Sequence, residues 1–321
     1  MQLHNNFWGT ASGCAVAWNL LTALPLTAES GIEYPQCAMT PTQQLAQKRA
    51  QAVALIEERA PEPLQQPLID LLRPAIALNV EPCADAVMPV GASKFGGAPD
   101  VPAAFEWPLW NGRPLGFLAQ INLREVAPFD VENVLPPSGL LAFFYEVEDP
   151  DTTDVSTPGS WRACYLQGDN LKRASVQRDT GFHAARMSFS AGWSSVSTFE
   201  IPPPIEDGDW RFEMVVSPCA PVQRRLYQGY QMLGYGSPII GDAVWYAEVR
   251  ALEGSSGVVS PTVRASVGAA ETQKWILLFQ LDSDDELNTL WGDVGTLFFM
   301  IRKSDLARAD FDKTWMELQF T

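Results

Sequence analysis

The sequence predicts an α+β fold dominated by β-structure, with one or two N-terminal helices ahead of two related β-rich halves. Three observations lead there. The 23 glycines and 25 prolines punctuate 321 residues at a density that suits many short strands and turns. Helical periodicity is concentrated before residue 75. An apolar strand carrying one glutamine, then a polar loop, a glycine and an apolar-aromatic strand, occurs twice.

Residues 1–38 read as an extension outside the domain. Residues 7–28 are apolar enough to suggest an export signal, but the first Lys or Arg is Lys48, so the cationic start is missing. Asn19 and Pro25 interrupt this run, which is also short for a bilayer span. Met39-Thr-Pro-Thr instead reads as a protein start leading straight into a helix, with Thr40 as N-cap and Pro41 at the first helical position. The domain is therefore expected over 39–321, with 1–38 dispensable. Leu45, Ala52, Leu55 and Ile56 form a stripe that predicts a helix over 40–60, stopped by Pro61. A shorter helix is expected over 64–72 and a strand over 75–80. From there strands and turns are expected to the C-terminus, with a Gly/Ser-rich connection over 253–270.

The repeated pattern is specific. Gly116-Phe-Leu-Ala-Gln120-Ile-Asn122-Leu leads to Gly139-Leu-Leu-Ala-Phe-Phe-Tyr145, and Trp275-Ile-Leu-Leu-Phe-Gln280-Leu-Asp282-Ser leads to Gly295-Thr-Leu-Phe-Phe-Met-Ile301. Upstream, Phe95-Gly-Gly-Ala-Pro99 and Leu233-Gly-Tyr-Gly-Ser-Pro238 correspond loosely. The pattern is read as an internal duplication with units at about 93–148 and 230–303. A glutamine in such a strand is expected to be buried. Each of its unmet hydrogen-bonding groups would cost about 1–3 kcal/mol, so it should tie the strand to a neighbouring loop or face a ligand.

Acidic residues outnumber basic ones 38 to 22, for a formal charge of −16. That balance argues against nucleic acid and anionic membranes as partners, and is compatible with a basic protein partner or with solubility alone. Cys14, Cys37, Cys83, Cys164 and Cys219 are scattered and odd in number, which fits neither a disulfide framework nor a zinc site. Reduced thiols point to a cytoplasmic protein.

No catalytic set emerges, and no metal or cofactor is expected. His4 lies in the extension, and His183 has no nucleophile elbow near it. Ser93-Lys94 are adjacent on an extended chain and point to opposite sides. Neither Asp282-Ser-Asp-Asp-Glu286 nor Glu146-Val-Glu-Asp-Pro-Asp151 has the glycine and terminal glutamate of an EF-hand. Asp293, between Gly292 and a strand, is expected to lock a turn by accepting backbone N–H bonds. Most of the 11 tryptophans are expected in the core, and exposed ones in a cleft could stack on a sugar or anchor a partner.

Several rare segments in the right order resemble the YwqG-like family of bacterial proteins of unknown function. They include Ser93-Lys-Phe-Gly-Gly-Ala-Pro99, Trp107-Pro108, Leu135-Pro-Pro-Ser-Gly139, Leu233-Gly-Tyr235, Leu278-Phe-Gln-Leu-Asp282, Trp291-Gly-Asp-Val-Gly295 and Asp310-Phe311. The resemblance implies a mixed, β-dominated fold and no established activity, and it hints at a genetic setting beside toxin–immunity genes. Where the family has Tyr-Pro after the Leu-Gly step, this chain has Tyr235-Gly236.

Three functions follow. A non-enzymatic, immunity-like protein would bind a basic partner through Glu146, Glu148, Asp149, Asp151, Asp284, Asp285 and Glu286. A small-ligand or carbohydrate binder would use a cleft between the halves, with Lys94, Gln120, Asn122, Gln280, Asp282 and Asp293. A hydrolase would use carboxylates whose spacing the sequence does not reveal.

Overall fold

The computed structural model describes residues 39–60, 62–147, 157–168, 170–196, 229–254 and 260–320. Residues 1–38, and with them the expectation that they are dispensable, lie outside this set, as do Glu148, Asp149 and Asp151. The fold is the β-dominated α+β class that the sequence predicts. Helix α1 (Pro41–Arg59) begins as expected: Thr40 and Gln43 form a reciprocal capping box, and Pro41 fills the first turn. Helix α2 (Glu62–Asp70) starts two residues earlier than predicted and carries Pro67 inside it. These helices bury Ala52, Ile56 and Leu68 against Val196 and Tyr235.

Fourteen strands are described. The first eight are β1 (Arg73–Pro82), β2 (Lys94–Phe95), β3 (Asp100–Val101), β4 (Leu109–Trp110), β5 (Arg113–Pro114), β6 (Gly116–Asn122), β7 (Leu140–Tyr145) and β8 (Trp161–Leu166). Then come β9 (Lys172–Arg173), β10 (Ala185–Ser194), β11 (Tyr230–Met232), β12 (Trp275–Asp282), β13 (Thr296–Arg302) and β14 (Trp315–Gln319). Ten of them form one sheet in the order β14-β13-β12-β11-β1-β10-β2-β6-β7-β8. Two blocks of four strands thus flank the long antiparallel pair β1·β10, and every pairing is antiparallel.

The sheet curls until its ends meet through side chains. Trp161 on β8 lies 5.1 Å from Trp315 on β14, and its indole donates to the Thr314 carbonyl at 2.9 Å. Inside, Phe143 of β7 touches Phe279 and Phe299 of the other block at 5.1 and 5.0 Å. Strands β6, β7 and β13 are buried almost end to end, as their unbroken apolar runs require. Phe105, Trp107 and Trp110 cover the outer face of β6 and β7.

The blocks repeat one another's geometry closely. Gln120 faces Lys94 on one side and Ala142 on the other, while Gln280 faces Gln231 and Phe298. Both glutamine strands carry a register shift just before the glutamine, at Phe117/Ala119 and Leu277/Phe279. The Leu123 N–H bonds the Gly139 carbonyl, and the Ser283 N–H bonds the Gly295 carbonyl. Even the loops after the short inner strands agree: Gly96 and Gly97 have φ of 60° and 71°, and Leu233 and Gly234 have 60° and 67°.

One stretch departs from the sequence reading. Residues 243–272, expected as strand, turn and polar connection, hold three helices: α4 (Ala243–Glu253), α5 (Pro261–Ser266) and α6 (Ala269–Thr272). Two further helices, α3 (Leu123–Val126) and α7 (Lys303–Leu306), are short turns after β6 and β13. Helix α4 is signalled by Asp242, whose carboxylate accepts from the Val244 and Trp245 amides, and by Gly254 in the left-handed conformation at its end. Its apolar composition hides the period, because Ala243, Ala247 and Val249 are all buried. No described helix is long and apolar enough to cross a membrane.

The paired loops give a test. A Cβ on Gly234 would overlap the Ser194 hydroxyl and lie 2.8 Å from Ala75 Cβ, whereas one on Gly254 would meet open space at a similar φ of 70°. Gly254→Ala should cost only the left-handed penalty, about 1–2 kcal/mol. Gly234→Ala should cost clearly more, measured by urea unfolding of both variants.

Candidate functional site

The two glutamine loops solve the same problem with different chemistry. In the first block, Gln120 Oε1 accepts from the Asp100 N–H at 2.7 Å, and its amide donates to the Ala92 carbonyl and to Asp100 Oδ2. Lys94 beside it is fully buried, donating to Asp85 Oδ1 at 2.7 Å and to the Ala98 carbonyl. Arg173 closes the network with Asp100 Oδ1 at 3.0 Å and with backbone carbonyls of the 85–89 turn. Burial pulls the Lys94 ammonium below its usual pKa despite Asp85 and Asp100. Burial also works against the Asp100 carboxylate, yet bonds from Arg173, the Gly91 amide and Gln120 outweigh it and hold its pKa down. Two cations and two carboxylates thus neutralise one another, Lys94 and Asp100 fully buried and Arg173 and Asp85 partly so, an arrangement that fixes a loop and leaves little for a ligand.

In the second block, Gln280 Oε1 accepts from the Ser237 N–H at 2.9 Å, and its amide donates to Asp282. Gln231, in the place of Lys94, donates to the Tyr235 carbonyl at 2.5 Å, as Lys94 does to Ala98. The loop here is uncharged. Its Tyr235 and Gly236 open onto a cleft of about 340 Å³.

Helix α4 roofs that cleft and is held by two ion pairs, one to the end of β13 and one to β14. Glu248 accepts from Arg302 at 2.6 Å and from the Trp275 indole at 2.8 Å, while Arg250 reaches Glu317 at 2.6 and 2.7 Å. Burial pushes Glu317 up to about 7 against the pull of Arg250. The first turn of α4 presents Trp245, and the sheet and loop present Tyr235, Trp275 and Phe298. Arg73 and Gln273 are its exposed polar residues. A second cavity of about 490 Å³ shares Arg73, Gly234 and Trp275 with the first.

The residues singled out from sequence do not converge on this cleft. Lys94 and Gln120 sit in the buried charge network, and Gln280 and Asp282 sit behind the second loop. Asn122 caps α3 and donates to the Gly91 carbonyl beside a separate cavity of about 270 Å³. Asp293 is exposed on a turn that the Gly295 N–H closes onto the Trp291 carbonyl at 2.7 Å. Of the acidic residues assigned to a partner, Glu146 faces inward, only 7% exposed, and binds Arg178 through both oxygens. Asp284 accepts from the Tyr230 hydroxyl and from the Glu286 and Leu287 amides, so it organises its own loop. That loop clasps the 181–183 segment, with Asn288 donating to Gly181 and the His183 ring bonded to the Glu286 carbonyl. Only Asp285 and Glu286 of the described members face solvent. Sequence reasoning missed Arg73, Tyr235 and Trp245 as one group, although Asp242 and Gly254 mark the helix that assembles it.

Asp282 offers a pH test. Burial pushes its carboxyl up to about 6, against hydrogen bonds from Thr296, Gln280 and the backbone. A carboxyl whose folded pKa exceeds its unfolded value near 4 stabilises fully below that value and loses the contribution as pH rises through about 6. Asp282→Asn keeps an acceptor for the Thr296 hydroxyl and removes the charge. It should flatten part of the stability loss between pH 4 and 7 and raise stability at pH 7 by about 1–3 kcal/mol in urea titrations. The share due to Glu317 has the same sign and should remain.

Comparison with curated proteins yields no match. A domain of unknown function, DUF1963, matches residues 93–319, from the strand of the first glycine loop to the end of β14. This span covers most of the chain and both four-strand blocks, and the chain therefore belongs to the DUF1963 family.

Proposed function

We propose that the protein binds a small organic ligand in the cleft under α4. The observation that carries this reading is the convergence of Tyr235, Trp245, Trp275 and Phe298 on one concave space beside Arg73 and Gln273. Such a site, mostly apolar, with four aromatic rings and few polar groups, is the usual form of a small-molecule pocket. Asp242 is the only carboxylate among its lining residues and is occupied in capping α4, which favours binding over two-carboxylate hydrolysis there. We also read the matching registers and loops of the two blocks as a duplication in which one loop became a charged latch and the other a ligand-facing wall. The finer identity as a YwqG-like protein rests on the motifs quoted above, all of which fall between residues 93 and 319.

A ligand-observed NMR fragment screen on the full chain tests the site. Fragments that bind the native protein should lose saturation transfer in Trp245→Ala, with melting temperature as the check on folding. A screen without hits, or hits indifferent to Trp245→Ala, removes the cleft as the site.

A second reading, recognition of a basic protein, is favoured by the charge of −16 together with the exposed pair Asp285 and Glu286. It predicts that Asp285→Asn with Glu286→Gln slows association while leaving stability within about 0.5 kcal/mol. The slowing should shrink as salt shortens the screening length, about 10 Å at 0.1 M. Surface plasmon resonance against a partner captured from the native host, at two salt concentrations, measures it. A salt-independent on-rate would remove this reading.

A further inference from the structure

Resting on the cleft as the ligand site, we propose that its ligand is a small organic oxyanion, a carboxylate or phosphate monoester on an aromatic or apolar body, anchored by Arg73. Arg73 is exposed at the start of β1 and lines both adjoining cavities. Its guanidinium lies 4.1 Å from the centre of the Tyr235 ring. Contact with a ring uses a face of the cation and leaves the five N–H donors at its edge for an acceptor. Among the described residues those donors meet no carboxylate and no carbonyl.

Arg173, Arg178, Arg250 and Arg302 are each bonded to a carboxylate. Among the described residues Arg49, Arg186 and Arg264 share with Arg73 the lack of one, but of these four only Arg73 lines the cleft and its neighbouring cavity. With 38 acidic residues against 22 basic ones, a cation without a carboxylate beside a cavity marks a place where an anion is brought from outside. Lys303 lines the neighbouring cavity, and it too has no carboxylate partner among the described residues.

Two carboxylates share the space. Glu132 lines the neighbouring cavity beside Lys303. Asp242 lines the cleft, but its Oδ1 is engaged by the Val244 and Trp245 amides at 2.8 and 3.1 Å, and burial raises its pKa, which weakens its opposition to an anion. The guanidinium fork matches planar carboxylate and phosphate oxygens two at a time, and Trp245 and Trp275 would take the apolar body.

Isothermal titration of the full chain with phenylacetate, phenyl phosphate and the neutral 2-phenylethanol tests the assignment. At least one anion should bind about tenfold or more tightly than the alcohol, and which anion does so separates carboxylate from phosphate recognition. Arg73→Gln should bring the anion to the level of the neutral probe. Arg73→Lys, which keeps the charge without the planar fork, should retain part of the advantage. Equal affinity for anion and alcohol, or an anion affinity unchanged by Arg73→Gln, overturns the oxyanion assignment and leaves a cleft for neutral ligands. No binding of any of the three probes overturns it as well, and the fragment screen with Trp245→Ala then decides separately whether the cleft binds anything.

Discussion

A carboxamide in the middle of a strand buried on both faces has to be satisfied, and in this protein that constraint sets the position of everything around the cleft. Gln120 and Gln280 are 0% and 2% exposed. Each unmet donor or acceptor would cost about 1–3 kcal/mol, more than most surface features contribute. Each glutamine therefore captures the backbone of the loop beyond the short inner strand, at Asp100 N–H and at Ser237 N–H. Fixing Ser237 fixes Tyr235 and Gly236 just before it, and these residues line the cleft. The close fit of Gly236 against Phe298, where a Cβ would stand 3.0 Å from the ring, ties the same loop to β13. Gln231 on the Tyr235 carbonyl and the Ser194 hydroxyl on the Tyr235 N–H add to this tie, so the loop holds a defined distance from the sheet beneath α4.

The same tie has opposite consequences in the two blocks because its neighbours differ. In the first, Lys94 needs compensation once buried, and Asp85, Asp100 and Arg173 supply it. Four mutually dependent charges leave a dense, closed loop, since removing any one strands the others in low dielectric. In the second, the position of Lys94 is taken by the neutral Gln231, and no such cage is required. The charges move outward to α4, where Glu248–Arg302 and Arg250–Glu317 hold the helix on the sheet and leave room beneath its first turn. Neutral chemistry at the loop and ionic chemistry at the roof are what make a cavity possible there.

This division explains what was legible in the sequence. Features that depend on neighbours in the chain were readable: the Thr40 capping box, the stop after α1, and the paired glutamine strands with their glycines. The buried role of the glutamines was readable too, because an amide within an apolar run has few alternatives. Features set by distant partners were not. Arg173 meets Asp85 across 88 residues and Trp275 meets Glu248 across 27, and nothing local marks either pairing. Helix α4 failed for a different reason. It packs Ala243, Ala247 and Val249 inward while Trp245 and Tyr246 border the cleft side and the loop, so its apolar residues do not fall on one narrow stripe.

Charge shows the limit of composition as a guide. The excess of acid suggested acidic loops meeting a basic partner, yet several of those carboxylates are structural. Glu146 is matched by Arg178, and Asp284 organises its loop through backbone amides. A net charge counts residues wherever they lie, whereas recognition depends on groups whose bonding capacity is still open. By that criterion the informative ion is a cation. Arg73 stands in a strongly acidic chain with its ring contact made and its donors open, at the point where two cavities share a wall. The chemistry of the site is carried by the one type of charge that the composition made scarce.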